Sequence, residues 1–337
     1  MNVPYIIAEA GVNHDGSVLR AMELVSLAAE AGASAIKFQA YRAHKLAAAD
    51  SPTYFDFNGQ PAHTQRRFFE RYDMLNPEDY QALAEQAKDC GIDFLCTPFD
   101  EEAVQWLDPL VTQFKIASAD ITHRPLLETI AKTGKPVILS TGATTWEEID
   151  RAVGWLYEAK VPKITLLHCV LSYPTTIQDA HLGLIRQLAA RFPDCEIGYS
   201  DHTVANSGAL ETAWILGASV LEKHFTDDDT RPGNDHAHSI TPDGLKKLVN
   251  KLDRAAMLIG EGDRKDPLPC EMSARVNARR SLYTSRALPA GHVLETGDLV
   301  AKRPGLGLEP FRLSSLLGRV LKSDVGEEHQ LRMEDLA

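Results

Sequence analysis

What this sequence lacks narrows its class before any motif is considered. No apolar run approaches the roughly 20 residues that a membrane-spanning helix requires, so a soluble chain is expected. The N-terminus, MNVPYIIAEAGVNHDG, has no basic stretch, and its short apolar segment ends at Glu9. A secretory leader needs a basic start and a longer apolar middle, so this segment reads as a strand and the cytoplasm is the expected compartment. Cysteine is sparse: Cys90, Cys96, Cys169, Cys195 and Cys270 are five, an odd number with no C-x-x-C spacing. That argues against both a disulfide framework and a cysteine zinc cluster. Positive charge is outweighed, 35 Lys and Arg against 47 Asp and Glu for a formal net charge of −12, so nucleic acid and anionic membrane surfaces would be repelled at long range. A small anionic substrate would therefore need lysines gathered locally to reverse the field.

What is present is the material of a globular enzyme. With 337 residues the chain is near the size at which single cores stop growing, which predicts one large domain and a smaller one. Short apolar segments at 5–8, 35–39, 93–97, 113–117, 136–140, 164–168, 196–200 and 219–224 alternate with amphipathic stretches, many closed by Gly or a nearby Pro. A last helix starts at Thr241, with Pro242 at its first position. Eight strand–helix repeats over about 260 residues match the period of a (β/α)8 TIM barrel; a doubly wound open sheet would show the same alternation, and the barrel is the favoured reading. Residues 41–75 are too long for an ordinary βα loop and are expected to form a lid. The first domain is read as 1–262. Residues 263–278, charged and proline-containing, read as a linker, and 279–337, with PAG, TGD and PGLG turns, read as a small β-rich module. So short a module buries a thin core and is expected to lean on the barrel or on another subunit.

In a barrel the chemistry gathers where strands end, and here nearly every strand candidate ends in a polar residue: Glu9, Lys37 and Gln39, Thr97, Lys115 and Ser118, Ser140, His168, Ser200 to His202, Glu222 and His224. A lone strand-end Ser or Thr is more often a helix cap. Lysines between Ile36 and Phe38, or between Phe114 and Ile116, are harder to dismiss, because an unpaired ammonium in a core is costly. Lys37 and Lys115, with Ser118, Ser140 and Ser200, are read as a cradle for phosphate and carboxylate. His202 and His224 fall at the ends of adjacent strands, and two imidazoles with open positions suit a catalytic Mn2+, Mg2+ or Zn2+. In the segment LEKHFTDDDTRPGNDHAHS, Asp227, Asp228 and Asp229 read as solvated turn. Asp235 and His236 return toward the next helix within reach of a substrate, and His238 has no assigned role.

The ordered motifs IIAEAGVNHDGS, GASAIKFQAY, FLCTPFD, FKIASADITHRPLLE, GKPVILSTGATT, LLHCVLSYPTT, IGYSDHT and GASVLEKHFTDDDTRPGNDHAHS resemble the sialic acid synthase family: the N-acetylneuraminate, legionaminate and pseudaminate synthases. The KRPGLGLEP segment resembles that family's antifreeze-like SAF domain. The resemblance spans essentially the whole chain and implies a TIM barrel joined to a SAF domain in a domain-swapped homodimer. It also implies the metal-dependent condensation of phosphoenolpyruvate with an open-chain N-acetylated hexose, either N-acetylmannosamine or a 6-deoxy diacetamido relative. The products would be a nine-carbon 2-keto acid and phosphate.

Carried over by position, the resemblance makes Glu9 the catalytic carboxylate and His202 and His224 the metal ligands. The implied cofactor is a divalent metal, Mn2+ first, with Mg2+ or Co2+ as alternatives. Phosphoenolpyruvate contacts fall on Lys37, Thr97, Lys115, Ser118, Ser140 and Ser200, and sugar contacts on Gln39, Tyr173 and Asp235. Arg303 would reach the partner subunit's site and meet the acetamido group. Two positions depart from the family pattern: Leu171 stands where the bacterial N-acetylneuraminate enzyme has an asparagine, leaving that contact to Ser172 or to nothing, and Ala119 replaces a glycine. Both bear on the sugar rather than on the reaction class, and GNDHAHS lies nearer the neuraminate and legionaminate pattern than the pseudaminate one. The competing reading is a TIM-barrel metallohydrolase using His202, His224 and Asp201 on water. A non-catalytic carbohydrate or ice-surface binder rests on the antifreeze-like module alone.

Overall fold

The computed structural model describes residues 3–53, 64–233, 235–260, 262 and 265–337. These fall into two compact units that divide at Gly260. In the first, the eight expected strands all form: β1 (Tyr5–Gly11), β2 (Ala35–Ala40), β3 (Asp93–Pro98), β4 (Phe114–Ile116), β5 (Val137–Ser140), β6 (Ile164–Cys169), β7 (Glu196–Asp201) and β8 (Val220–His224). Seven parallel ladders join them in the order β3-β2-β1-β8-β7-β6-β5-β4, and β4 lies alongside β3 at the remaining seam. This is a TIM-type barrel, and the hydrogen bonding of β1 to both β2 and β8 rules out the open doubly wound alternative.

Among the described residues ten helices accompany the strands: α1 (Val18–Glu30), α2 (Ala43–Leu46), α3 (Gln65–Phe69), α4 (Pro77–Asp89), α5 (Glu101–Leu107), α6 (Arg124–Ala131), α7 (Trp146–Glu158), α8 (Leu184–Arg191), α9 (Ala209–Ile215) and α10 (Pro242–Ile259). Their starts follow from local chemistry. Thr145 and Glu148 form a reciprocal capping box on α7, and the Thr241 hydroxyl caps α10 beside Pro242. Apolar faces such as Leu24, Val25 and Ala28 of α1 pack on outward strand residues such as Ile6, Ile36 and Phe38 to make the main core.

The inward faces follow the strand period of two. Deep in the barrel they are apolar, with Ile7, Ala35, Leu95, Ile138, Leu167 and Val220 in one cluster. Two residues further along each of six strands stand Glu9, Lys37, Thr97, Ser140, Cys169 and Glu222, all buried. A dry plug beneath a polar mouth is thus written into the strand sequences. At Gly198 the barrel needs the smallest residue, because a Cβ there would meet Val220 O and Leu167 Cδ2, each at 2.5 Å.

The long insertion after β2 contributes α2 and α3. Residues 54–63 of the expected lid lie outside the described residues. Tyr41, Phe68 and Tyr72 pack with Val12 in a small aromatic cluster. The second unit has β9 (Ser281–Thr284) and β10 (Leu299–Lys302) in an antiparallel pair, with further isolated bridges such as Leu288–Val325 and Leu321–Leu336. Its own core is built from leucines including Leu282, Leu294, Leu316 and Leu331. The stretch read as linker carries a short helix, α11 (Met272–Asn277), and α12 (Leu313–Leu316) completes the unit. Among the described residues no helix is long and apolar enough to cross a membrane.

Candidate active site

At the C-terminal mouth of the barrel lies a cavity of about 740 Å³. It collects residues far apart in sequence. The cradle residues Lys37, Thr97, Lys115, Ser118, Ser140 and Ser200 line it, as do Glu9, Gln39, Tyr173, His202, His224 and Asp235. Leu46, Gln65, Phe68 and Phe69, from the described ends of residues 41–75, line it too.

Its floor is a buried charge network. Lys37 Nζ lies 2.5 Å from Glu9 Oε2 and 3.8 Å from Glu222 Oε2, while Lys115 Nζ lies 3.7 Å from Glu222 Oε1. Thr97 Oγ1 accepts from Lys37 at 3.3 Å, and Gln39 Nε2 donates to Glu9 Oε1 at 3.0 Å. Ser200 Oγ donates to Glu222 Oε1 at 2.8 Å. Four buried charges at the mouth survive only as a compensated set, since removing one partner strands the other. Burial drives the Glu9 carboxyl above its ordinary range, with Glu222 adding to that and Lys37 opposing it. For Glu222, burial pushes the same way but the two lysines outweigh it, and the carboxyl sits low. Burial, helped by Lys37, lowers the Lys115 ammonium. Lys37 is held high by Glu222 and Glu9 against its own burial. Two ammoniums therefore converge on the cavity, their charge balanced by Glu9 and Glu222.

Beside this network three histidines cluster. The His202 and His224 ring centroids are 5.3 Å apart, and those of His224 and His238 are 5.0 Å apart. Tyr173 leans on His202 at 4.2 Å. Burial lowers His202 to about 4 and His238 to about 3, and it lowers His224 well below its usual range. All three are neutral imidazoles at pH 7, the form that ligates metals. His202 Nδ1 sits 2.7 Å from the Val170 carbonyl, a contact that assigns Nδ1 as donor and leaves Nε2 with a lone pair, the usual second contact of a metal-binding histidine. His224 Nδ1 and His238 Nε2 are buried without a hydrogen-bond partner, a costly condition that a cation would relieve. The residues present thus fit a divalent metal. Asp235 is pushed up to about 7 by burial and the Glu9 charge, against Lys37.

The loop after β8 brings these groups together. Phe225 N donates to Glu9 O at 2.7 Å, and Ile240 N donates to His224 O at 2.7 Å, so the segment leaves the strand and returns to its end. Asn13 Nδ2 fastens the base of the loop through Phe225 O and Ser239 Oγ, at 2.9 and 3.0 Å. The segment read as wholly solvated is divided instead. Asp228 and Asp229 are exposed, whereas Asp227 is half-buried and paired with Arg20 at 2.6 Å and Arg231 at 2.9 Å. His236 is buried and bound to Thr226 Oγ1 at 2.8 Å, as a structural residue rather than one facing substrate.

Other sequence expectations part in the same way. His168 points outward to the Ala180 carbonyl at 2.8 Å. Asp201 also points away from the cavity: Lys223 holds it at 2.9 Å, and Tyr199 and Thr203 N donate to it at 2.9 Å each. That removes Asp201 from any water-activating role beside His202. Leu171 and Ala119 line the cavity, while Ser172 is exposed and is not part of its lining. Arg303 is exposed on the second unit, after β10. Glu222, His238 and Asp120 line the cavity as well. Strand alternation with Ser200 and His224 points to Glu222, but nothing in the local pattern singles out His238.

Comparison with known proteins matches the same features. A NeuB family model matches residues 24–264 and a SAF domain model matches residues 279–337. The chain is 40% identical to an uncharacterized protein of Methanocaldococcus jannaschii, over 98% of this chain and 94% of that one. It is 36% identical to the N,N'-diacetyllegionaminic acid synthase of Legionella pneumophila, over the same shares. The crystal structure of N-acetylneuraminic acid synthetase from Leptospira borgpetersenii superposes with a TM-score of 0.72 at 34% identity, covering 81% of this chain and 90% of that one. On these matches the chain belongs to the NeuB family and carries a SAF domain at its C-terminal end.

Proposed function

We propose that this enzyme of the sialic-acid-type synthase kind condenses phosphoenolpyruvate with an open-chain N-acetylated hexose. The observation that carries the reading is the convergence of Lys37 and Lys115 with Glu9, Glu222 and the histidine cluster on one cavity. The two ammoniums would hold the phosphate and carboxylate of phosphoenolpyruvate, displacing part of their pairing with Glu222. Ser140 Oγ, buried without a partner, and Ser118 Oγ, which accepts from Gly142 N at 2.8 Å and keeps its own proton, are free to donate to that anion, with Thr97 and Ser200 beside them.

A divalent metal held by His202 and His224, Mn2+ first among Mn2+, Mg2+ and Co2+, would polarise the sugar aldehyde. The C2=C3 electron pair of phosphoenolpyruvate forms the new carbon–carbon bond from C3 and leaves C2 cationic, and the aldehyde oxygen takes up a proton from solvent. Water then adds at C2, and Glu9, whose carboxyl burial raises above its ordinary range, orients it and accepts its proton. The C2 hydroxyl then gives its remaining proton to the departing phosphate as the C2–O bond breaks, which releases phosphate and leaves the 2-keto acid. Gln39, Tyr173 and Asp235 face the same space and would position the sugar. In a domain-swapped homodimer Arg303 would meet the acetamido group in the partner's site.

Phosphate release should require phosphoenolpyruvate, a divalent cation and a 2-acetamido hexose together. Release that persists in a chelator, or mass spectra with no nine-carbon product from N-acetylmannosamine and its 6-deoxy diacetamido relatives, would sink the reading. The same spectra choose between neuraminate and legionaminate chemistry. The apolar Leu171 wall and the 36% identity to the legionaminic acid synthase support including the 6-deoxy sugars. The hydrolase alternative loses its support with the outward-facing Asp201.

A further inference from the structure

We propose that His238 is a ligand of the metal, with His224 and Asp235, and that this third imidazole tunes the site toward borderline cations such as Co2+ and Zn2+ rather than Mg2+. The inference deepens the metal reading above and rests on it. Among the described residues His224, Asp235 and His238 form a group of three potential ligands whose donor atoms lie within 4.8 Å of one another. Asp235 Oδ2 is 3.3 Å from His224 Nδ1, and Asp235 Oδ1 is 3.9 Å from His238 Nε2.

These separations are too long or too poorly aimed for hydrogen bonds, and both nitrogens are left buried and unpartnered. They suit a shared ion: around a cation with bonds of about 2.1 Å the edges of a tetrahedron are about 3.4 Å long. The backbone is built to hold this arrangement. His236–His238 forms a 3-10 turn, Ser239 N donates to His236 O at 3.0 Å, and the Ser239 hydroxyl donates to Asp235 O at 2.6 Å. The His238 ring, 3% exposed, also packs against Tyr173 with centroids 5.7 Å apart.

This group supplies two imidazoles and one carboxylate, and the His202 ring stands beside it, its centroid 5.3 Å from that of His224. Nitrogen-rich sets favour Co2+, Ni2+ and Zn2+, whereas Mg2+ prefers oxygen ligands and keeps its waters. Asp235 would then serve the cation, not the sugar alone.

The test is direct metal binding by the full chain, stripped of metal and titrated with Co2+ and with Mg2+. His238→Ala and His238→Gln are compared with the unaltered protein, and circular dichroism verifies their fold. Co2+ affinity should fall by about 10- to 100-fold, as for loss of other metal-site contacts, with a changed visible spectrum, while Mg2+ affinity stays within about twofold. In the unaltered Co2+ protein, hyperfine-shifted exchangeable NMR signals should count a third imidazole, a readout that needs no substitution. Equal Co2+ affinity and spectrum in the variants, or only two coordinated imidazoles, overturns the proposal. Condensation is followed separately. A protein that ligates Co2+ through His238 but consumes no phosphoenolpyruvate keeps this inference and sinks the functional one; condensation by a protein that ligates metal without His238 does the reverse.

Discussion

Lys115 is the residue on which the synthase and hydrolase readings divide. Its ammonium is 4% exposed and lies 3.7 Å from Glu222; the proposed synthase reaction uses it to grip an anion, whereas a hydrolase reaction has no need of it. Lys115→Met should lower kcat/KM for phosphoenolpyruvate by about 100-fold or more, the scale of losing a charged contact in a dry site. A variant with unimpaired kinetics would remove the anion cradle from the mechanism. Asp120 gives a prediction in stability. Burial pushes its carboxyl up to about 6 from 3.8, against His123 and Lys115. The folded state therefore holds a proton that the unfolded chain releases earlier. Asp120 costs nothing below about pH 4, and its penalty grows as pH rises to about 6 and persists above. Asp120→Asn should raise the melting temperature by about 2–4 °C at pH 8 and leave it unchanged at pH 4. An equal shift at both values would assign the effect to packing.

Among the elements, β7 is set by what it cannot carry. The missing side chain at Gly198 lets Leu167 of β6 fill the barrel interior beside Val220 of β8. Gly198→Ala should destabilise the protein by about 1–3 kcal/mol, the usual cost of overpacking, seen as a lower denaturant midpoint with an unchanged slope. A neutral result would mean that β6 and β8 yield to the added carbon. The same strands show why a period of two reads so well here. Ser200 and Glu222 face the cavity, while Asp201 and Lys223 pair behind them, so neighbouring polar residues in one motif have opposite fates.

At the scale of the whole molecule, the proposed function gives Arg303 a place in the partner subunit's site. If Arg303 completes the partner's site, Arg303→Ala and Glu9→Gln should each be nearly inactive alone, and mixing the two after subunit exchange should restore activity, because one site per mixed dimer keeps both groups. Mixed dimers as inactive as their parents would place Arg303 in its own subunit's site or outside the reaction.

Strand order, the alternation that sends Lys37 and Lys115 inward and the cluster of polar residues at strand ends were legible from the sequence, because each depends on neighbours within a few positions and on the rule that buried charge must be compensated. The family motifs carried Gln39, Thr97 and Tyr173 to the same mouth, where the cavity indeed has them. Tertiary structure alone decided which histidines face which. His236 and His238 are two residues apart in one turn, yet one is fastened to Thr226 and the other stands over His224 beside Asp235. That outcome depends on where the loop after β8 lands when it returns, which is fixed by contacts with Glu9 and Asn13 more than two hundred residues away, and no local pattern encodes it.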